Sequence, residues 1–246
     1  MEIRAVNLTK AFGDTVALDS LNLNIRGPGM IGYLGPNGAG KTTTLKLFTN
    51  LLFPSQGEAL IDGVDVHNDP VRALRNVSAL VETPEPYRYY TVREFLKFVA
   101  KVRGMDLKEA ESRIRDLETT FHLDNTNRRI GKLSKGNKRK VMIAATLLPE
   151  SKIILLDEPT DGLDPIESRE VRNILNSLKR DRLIIMSSHL MYEVSETCDK
   201  LILINRGKMI MFEDTIHVVE KIGGSKVGPS ELEEAFFNLV GKGGFK

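Results

Sequence analysis

Apolar and polar positions change period along the chain, and the changes mark out its elements. Glu2–Leu8 and Ser20–Ile25 alternate, with Ile3 and Ala5 set against Glu2 and Arg4, and Leu21, Leu23 and Ile25 against Asn22 and Asn24. A period of two places the apolar set on one face, so both read as half-exposed strands of an antiparallel sheet. Met30–Leu34, Val77–Val81, Lys152–Leu156 and Leu183–Ser187 are compact apolar runs and read as further strands, with Glu58–Ile61 as a short one closed by an Asp62-Gly63 turn. Leu201–Ile204 and Met209–Phe212 flank Asn205-Arg206-Gly207 and read as a hairpin.

Helical periodicity takes over elsewhere. Thr91–Arg103 carries Val92, Phe95, Leu96, Val99 and Val102 on one face, and Thr91 with Glu94 forms a capping box. Further helices are predicted over Lys41–Leu52, Leu107–Phe121, from about Ser134 to Leu148 before Pro149, and over Pro165–Arg180 with Asp164 as N-cap. A last helix over Glu231–Val240 has Ser230 and Glu233 as its capping box and Leu232, Ala235, Phe236 and Leu239 as its apolar face, and Gly241–Lys246 is expected to fray. Two prolines make 82–86 stiff and extended, and the three helices that follow have no strand between them. This predicts an inserted all-α subdomain. The strand–helix alternation after it is the pattern of a parallel sheet covered by helices. The expected division is 1–87, a core with an antiparallel β subdomain; 88–149, the α subdomain; 150–222, the core continued; and 223–246, the C-terminal helix and tail.

Composition narrows the class. A chain of 246 residues that is 41% hydrophobic can bury a real core. Its net charge of +2 does not suggest a nucleic-acid binder, and the one cysteine, Cys198, forbids an internal disulfide and suits a reducing compartment. The opening MEIRAVNLTK lacks the apolar segment of a signal peptide, and no stretch approaches the ~18 apolar residues that cross a bilayer.

The chemistry concentrates after Leu34. Gly35-Pro36-Asn37-Gly38-Ala39-Gly40-Lys41-Thr42-Thr43 fits G-x-x-x-x-G-K-[ST], the phosphate-binding loop, between a predicted strand and a predicted helix as that motif requires. Gly35, Gly38 and Gly40 allow a tight turn whose N–H groups point at a polyphosphate, Lys41 adds a charge for its β- and γ-phosphates, and Thr42 offers a hydroxyl to Mg²⁺. Asp157 and Glu158 close an apolar strand, where Asp157 is placed on the metal and Glu158 on the attacking water as general base. His189 follows the next strand, within reach of a γ-phosphate. Phe12, in the turn Phe12-Gly13-Asp14, is either a buried turn anchor or a platform for an adenine ring, and periodicity leaves both open. In Leu133-Ser134-Lys135-Gly136-Asn137-Lys138-Arg139-Lys140 four cations crowd a helix start, where the macrodipole prefers acids. Either they splay into solvent or an anion binds there.

Taken in order, GPNGAGKTT, LSKGN, IILLDEP, DGLD and SSH resemble the ATP-binding subunits of ABC transporters, over nearly the whole chain. The resemblance implies an α/β fold, a P-loop NTPase core of mostly parallel sheet with helices on both faces, the antiparallel β subdomain at the N-terminus and the α insertion. It implies ATP and Mg²⁺ as cofactors, ATP hydrolysis, and a homodimer that sandwiches two ATP molecules head to tail. Each site would then pair one loop with Ser134 and Gly136 of the other chain, within the signature Leu133–Asn137, which supplies the anion for the basic helix start. Phe12 falls at the adenine-stacking aromatic, Asp164 in the loop that communicates across the dimer, and His189 at the switch histidine.

Three departures from the family pattern stand out. LSGGQ reads LSKGN, with Lys135 and Asn137 changed; the glutamine that ends a strand is Glu82, which binds Mg²⁺ more strongly than an amide but adds negative charge near the γ-phosphate; and Asp161 stands where serine is common. Glu82 resembles the branch that exports peptide antibiotics and lantibiotics, and Pro229–Phe236 resembles the tail of subunits that serve exporters with separately encoded membrane chains. The expected partner is such a transmembrane permease subunit, docked near Glu82–Tyr90 with Tyr87, Tyr89 and Tyr90 exposed, so that the chain sits peripherally on the cytoplasmic face of the membrane. A soluble cassette ATPase of DNA repair, chromosome maintenance or translation is the rival. It would carry a coiled-coil insertion, a Cys-x-x-Cys hook, a second cassette or a strongly basic surface, and the sequence contains none of these.

Overall fold

The computed structural model describes residues 1–82, 86–123, 126–222 and 234–236. Its elements are β1 (Glu2–Phe12), β2 (Thr15–Arg26), β3 (Gly29–Leu34), α1 (Lys41–Phe48), β4 (Gln56–Ile61), β5 (Val64–Asp65), α2 (Pro70–Ala73), β6 (Val77–Leu80), α3 (Val92–Val102), α4 (Leu107–Thr120), α5 (Lys135–Leu147), β7 (Ile153–Leu156), α6 (Pro165–Leu178), β8 (Leu183–Ser188), α7 (Met191–Thr197), β9 (Lys200–Asn205), β10 (Lys208–Asp214) and α8 (Thr215–Ile222). Among these residues there are two sheets. One is antiparallel in the order β2-β1-β4-β5, and the other runs β10-β9-β3-β8-β7-β6. In the second, β9, β3, β8, β7 and β6 are parallel and β10 closes the edge antiparallel to β9.

The apolar runs are the strands of this second sheet, and each feeds two cores. Met30 and Leu34 of β3, with Leu80, Ile154, Leu156, Ile184 and Met186, join the side chains of α3, α4, α5 and α7 on one face. Ile31 and Tyr33, with Val77, Ile153, Leu155, Leu183 and Ile185, meet the antiparallel sheet through Ile3, Leu8, Leu21 and Ile61 on the other. A strand covered on both faces reads as continuous apolar sequence, which is why alternation was legible in β1 and β2 and not here.

Register puts the carboxyl ends together: Leu34 lies beside Ser188, and Leu80 beside Leu156. In an open parallel sheet the crevice outside these ends is where ligands bind. The segments after β3, β6, β7 and β8 therefore converge.

Some boundaries differ from the sequence reading. The first helix ends at Phe48 rather than Leu52, because Asn50 adopts a left-handed conformation (φ 57°) and the Leu51 N–H returns to the Lys46 carbonyl at 2.9 Å. Such a cap stops a helix wherever the next residue tolerates αL. Leu51 and Phe53 are left exposed beyond it. The capping boxes at Thr91/Glu94 and Asp164/Glu167 are both formed. The short elements β5, α2, α7 and α8, and a 3₁₀ turn at Ile130–Lys132, had no periodicity long enough to announce them. Of the expected last helix, 234–236 are helical and Phe236 is buried; Ser230, Leu232, Glu233 and Leu239, the tail 241–246, and Pro84 lie outside the described residues.

Candidate functional site

The loop Gly35–Gly40 links β3 to α1 and is held on a rigid base. Beneath it the Tyr33 hydroxyl meets the Thr44 Oγ1 at 3.0 Å in a buried contact, and burial pushes the phenol pKa up. Gly40 is the N-cap, at φ 107°, and no side chain caps the helix. The glycines are required for more than a turn. A Cβ on Gly40 would stand 2.5 Å from the Ala17 carbonyl oxygen of β2, and one on Gly35 would overlap the Ile204 carbonyl oxygen of β9. Two neighbouring strands thus press on the loop from outside, and the Gly207 N–H closes the arrangement by donating to the Ala39 carbonyl at 2.9 Å.

Lys41 is only 6% exposed. Its ammonium donates to the Gly35 and Pro36 carbonyls at 2.6 and 3.3 Å and lies 3.3 Å from Glu158 Oε1. The Glu158 Oε2 is 3.0 Å from His189 Nδ1. One carboxylate is thus clamped between the loop's cation and the imidazole. Glu158 itself is left-handed (φ 46°), a strained conformation for a non-glycine residue, and its N–H donates to Ser187 Oγ at 2.9 Å.

Asp157 is buried, and both of its oxygens are engaged. Oδ1 accepts from Ser187 Oγ at 2.6 Å; Oδ2 accepts from Thr42 Oγ1 at 2.8 Å and from the Glu82 N–H at 3.3 Å. Thr42 and Asp157, the hydroxyl and the carboxylate expected to share a metal, are therefore in contact. Two hard oxygen donors side by side fit Mg²⁺, which takes few protein ligands and completes its shell with water and phosphate. Glu82 does not join them by its side chain: its carboxylate pairs with Lys46, one turn along α1 from Thr42. Among the described residues no cluster of three acidic, histidine or cysteine side chains is arranged around a metal position.

A cavity of about 390 Å³ is lined by Asn37, Thr42, Glu82, Arg139, Asp157, Glu158, Asp161 and His189. Every expected participant in hydrolysis but Lys41 lines it, and Lys41 reaches it through Glu158. Arg139 is the residue that sequence reasoning missed. Its guanidinium points inward from α5 and donates to the carbonyls of Asp157 (2.6 Å), Glu158 (2.5 Å), Pro159 (3.1 Å) and Glu82 (3.3 Å). Burial lowers its pKa, and Asp161, Asp157 and Glu158 oppose that shift.

The basic helix start splits by residue. Lys140 is buried and pairs with Glu167 and Glu170, at 3.0 and 3.6 Å, and Lys135 pairs with Asp161 at 3.3 Å. Lys140 thus meets carboxylates of α6, while Lys135 stays exposed beside the loop before that helix. Two of the departures from the family pattern are thus partners of each other. Ser134 caps α5 by accepting the Asn137 N–H, Leu133 packs partly buried on the core, and Gly136 sits against Glu167, where a Cβ would meet Oε2 at 2.7 Å. None of these four lines the cavity. Phe12 is no buried anchor: it ends β1, half exposed, with the Lys10 ammonium 4.9 Å from its ring centre.

Known proteins share this sequence pattern and fold. Over 210 residues the chain is 36% identical to the bacitracin transport ATP-binding protein of Bacillus licheniformis, covering 85% of this chain and 68% of the relative. It is 32% identical to the lantibiotic transport ATP-binding protein of Streptococcus pyogenes, covering 97% of each. A solved ATP-binding subunit of an ABC transporter superposes with a TM-score of 0.85 at 26% identity, over 96% of this chain and 99% of that one. Residues 18–161, more than half of the sequence and the part that holds the loop, the signature and the paired acids, match the family described as ABC transporter, and the chain belongs to that family as an ATP-binding ATPase subunit.

Proposed function

We propose that this subunit binds Mg-ATP at Gly35–Thr43, pairs head to tail with a second copy on two ATP molecules, hydrolyses them, and energises a separate membrane-spanning partner for export. The observation that carries the hydrolytic part is the Lys41–Glu158–His189 chain beside the Thr42–Asp157 contact. In this reading the Lys41 ammonium exchanges loop carbonyls for β- and γ-phosphate oxygens, and Thr42 and Asp157 hold Mg²⁺. The metal, when bound, neutralises charge developing on the phosphates. Glu158 Oε accepts the proton of the attacking water, and His189 holds that carboxylate in place.

Pairing of two copies is supported by the position of Ser134 and Gly136, which belong to the signature yet lie outside the cavity of their own chain. Asp164, the N-cap of α6, sits in the connection between Glu158 and that helix, where a communicating loop belongs. Export of a peptide antibiotic or lantibiotic is favoured by the two relatives named for such transport. Docking is assigned to the aromatic surface at Tyr87, Tyr89 and Tyr90, all exposed, where Tyr87 and Tyr90 pack on Phe98 at 5.5 and 6.0 Å. No described helix is long and apolar enough to cross a membrane. In this reading a separate partner supplies the spans and the subunit sits peripherally on the cytoplasmic face.

The test is Glu158→Gln. We expect ATP affinity to persist while turnover falls by about 10²–10⁴, the usual worth of a general base, with an ATP-bound dimer accumulating in size-exclusion chromatography with light scattering. Equal turnover in variant and parent removes Glu158 from the base role. A variant that binds ATP and stays monomeric removes the sandwich.

A further inference from the structure

Behind Glu158 and His189 lies a second polar cluster. Glu193, on α7, is buried. Its Oε2 accepts from Thr160 Oγ1 at 2.8 Å and from Ser188 Oγ at 3.4 Å, and its Oε1 pairs with the Arg172 guanidinium of α6 at 3.1 Å. Arg172 is equally buried and has Glu196 as a second partner at 3.7 Å. The Ser188 hydroxyl also accepts the Leu190 N–H at 3.0 Å, which fixes the first turn after His189. Thr160 is two residues past Glu158, and the intervening loop is tied back by the Asp161 N–H to the Glu158 carbonyl at 3.0 Å. Glu158, His189, Arg172 and Glu193 line one cavity of about 390 Å³.

A buried carboxylate is costly unless its charge and lone pairs are satisfied, so its partners are held firmly. Here one partner belongs to the segment that carries Glu158, another to the segment that carries His189, and the third is a fixed cation on a long helix. The left-handed backbone at Glu158 needs such outside support, because a strained conformation persists only where its surroundings over-determine it. The geometry points to Glu193 as a positioning residue for ATP hydrolysis, which, anchored by Arg172, sets the separation of Glu158 and His189 through Thr160 and Ser188. It does not touch nucleotide in this assignment. The inference rests on the reading of Glu158 as the base.

The deciding variant is Thr160→Val, which keeps shape, removes one arm and leaves the Arg172–Glu193 pair intact. Steady-state ATPase kinetics of the full chain should show kcat reduced about ten-fold, in keeping with the sensitivity of such steps to small misplacements. KM for ATP should stay within about two-fold, since the loop that binds phosphate is not in the cluster, and Thr160→Ser should restore the parental kcat. Glu193→Gln, which strips the charge opposite Arg172, should lower kcat further; should it fail to fold, Thr160→Val decides alone. Parental kcat in Thr160→Val overturns the proposal, as does a loss that Thr160→Ser does not recover or that KM and thermal midpoint share in proportion. Glu158→Gln is assayed alongside. If it turns over ATP like the parent, the reading of the base fails; if it is inactive while Thr160→Val is unimpaired, only the positioning role fails.

Discussion

Replacing Arg139 with methionine removes the guanidinium and keeps most of the volume, so the cost falls on hydrogen bonding alone. The side chain is 6% exposed and donates to four backbone carbonyls, two of them at 2.6 and 2.5 Å. A hydrogen bond from a charged donor contributes about 1.5–3 kcal/mol net, and a buried carbonyl left without a partner costs about 1–3 kcal/mol. These terms overlap, and the two bonds near 3.1–3.3 Å are weaker, so the two short ones set the scale. The expected loss is about 3–5 kcal/mol, the range for removing one side of a buried charged network. For a chain of this length each kcal/mol moves the thermal midpoint by about 2–4 °C, which gives a fall of about 6–20 °C. Circular dichroism melts of parent and variant measure it directly. Arg139→Lys keeps the charge without the planar fork and should recover less than half of the loss. A midpoint within about 2 °C of the parent for Arg139→Met would refute the idea that this residue braces the segment from Asp157 to Pro159.

Other consequences are open to measurement. Lys41→Ala should weaken ATP binding by at least about ten-fold, the equivalent of one charged hydrogen bond, and unchanged affinity in calorimetry would sink the assignment. Gly40→Ala should destabilise the fold by more than the ~1–3 kcal/mol of left-handed strain alone, because its Cβ also meets the Ala17 carbonyl; a parental urea midpoint would contradict this. Burial, and secondarily Asp199, pushes the Cys198 thiol pKa up, so the native protein should resist maleimide at pH 8 until denaturant is added, and rapid labelling of the folded chain would show the site to be open. The same shift has a sign for stability. Above about pH 8.5 the unfolded chain releases this proton while the folded one retains it, so stability should fall with rising pH by up to ~1.4 kcal/mol per unit, and Cys198→Ala should remove that share of the slope.

The phosphate loop and the paired acids were legible because local sequence dictates them: a run of nine residues between strand and helix, and acids at the end of an apolar strand. His189 was legible by its strand end in the same way. Arg139 was not, because Lys138, Arg139 and Lys140 look alike in sequence and only packing separates them. The carbonyls at the end of β7 draw Arg139 inward, and the carboxylates of α6 take Lys140. Lys135 and Asp161, 26 positions apart, read as two unrelated oddities until the fold brought them to 3.3 Å. The Lys46–Glu82 pair was hidden for a similar reason, since the lysine that meets this carboxylate lies 36 positions away. The end of α1 was misread because Asn50, an ordinary residue in a helical pattern, takes the conformation that stops it.

The pressure of β2 and β9 on Gly40 and Gly35 bears on how freely such a loop can be moved between proteins. A protein engineer who grafted these nine residues onto another strand and helix would carry over the ammonium, the hydroxyls and the turn. The graft would leave behind the Ala17 and Ile204 carbonyls that crowd the turn from outside and the Gly207 N–H that fastens it. Without them the glycines become hinges, and the same sequence that is a fixed cradle here would be a floppy tether there. The transferable unit is therefore the loop together with the hairpin and strand that confine it.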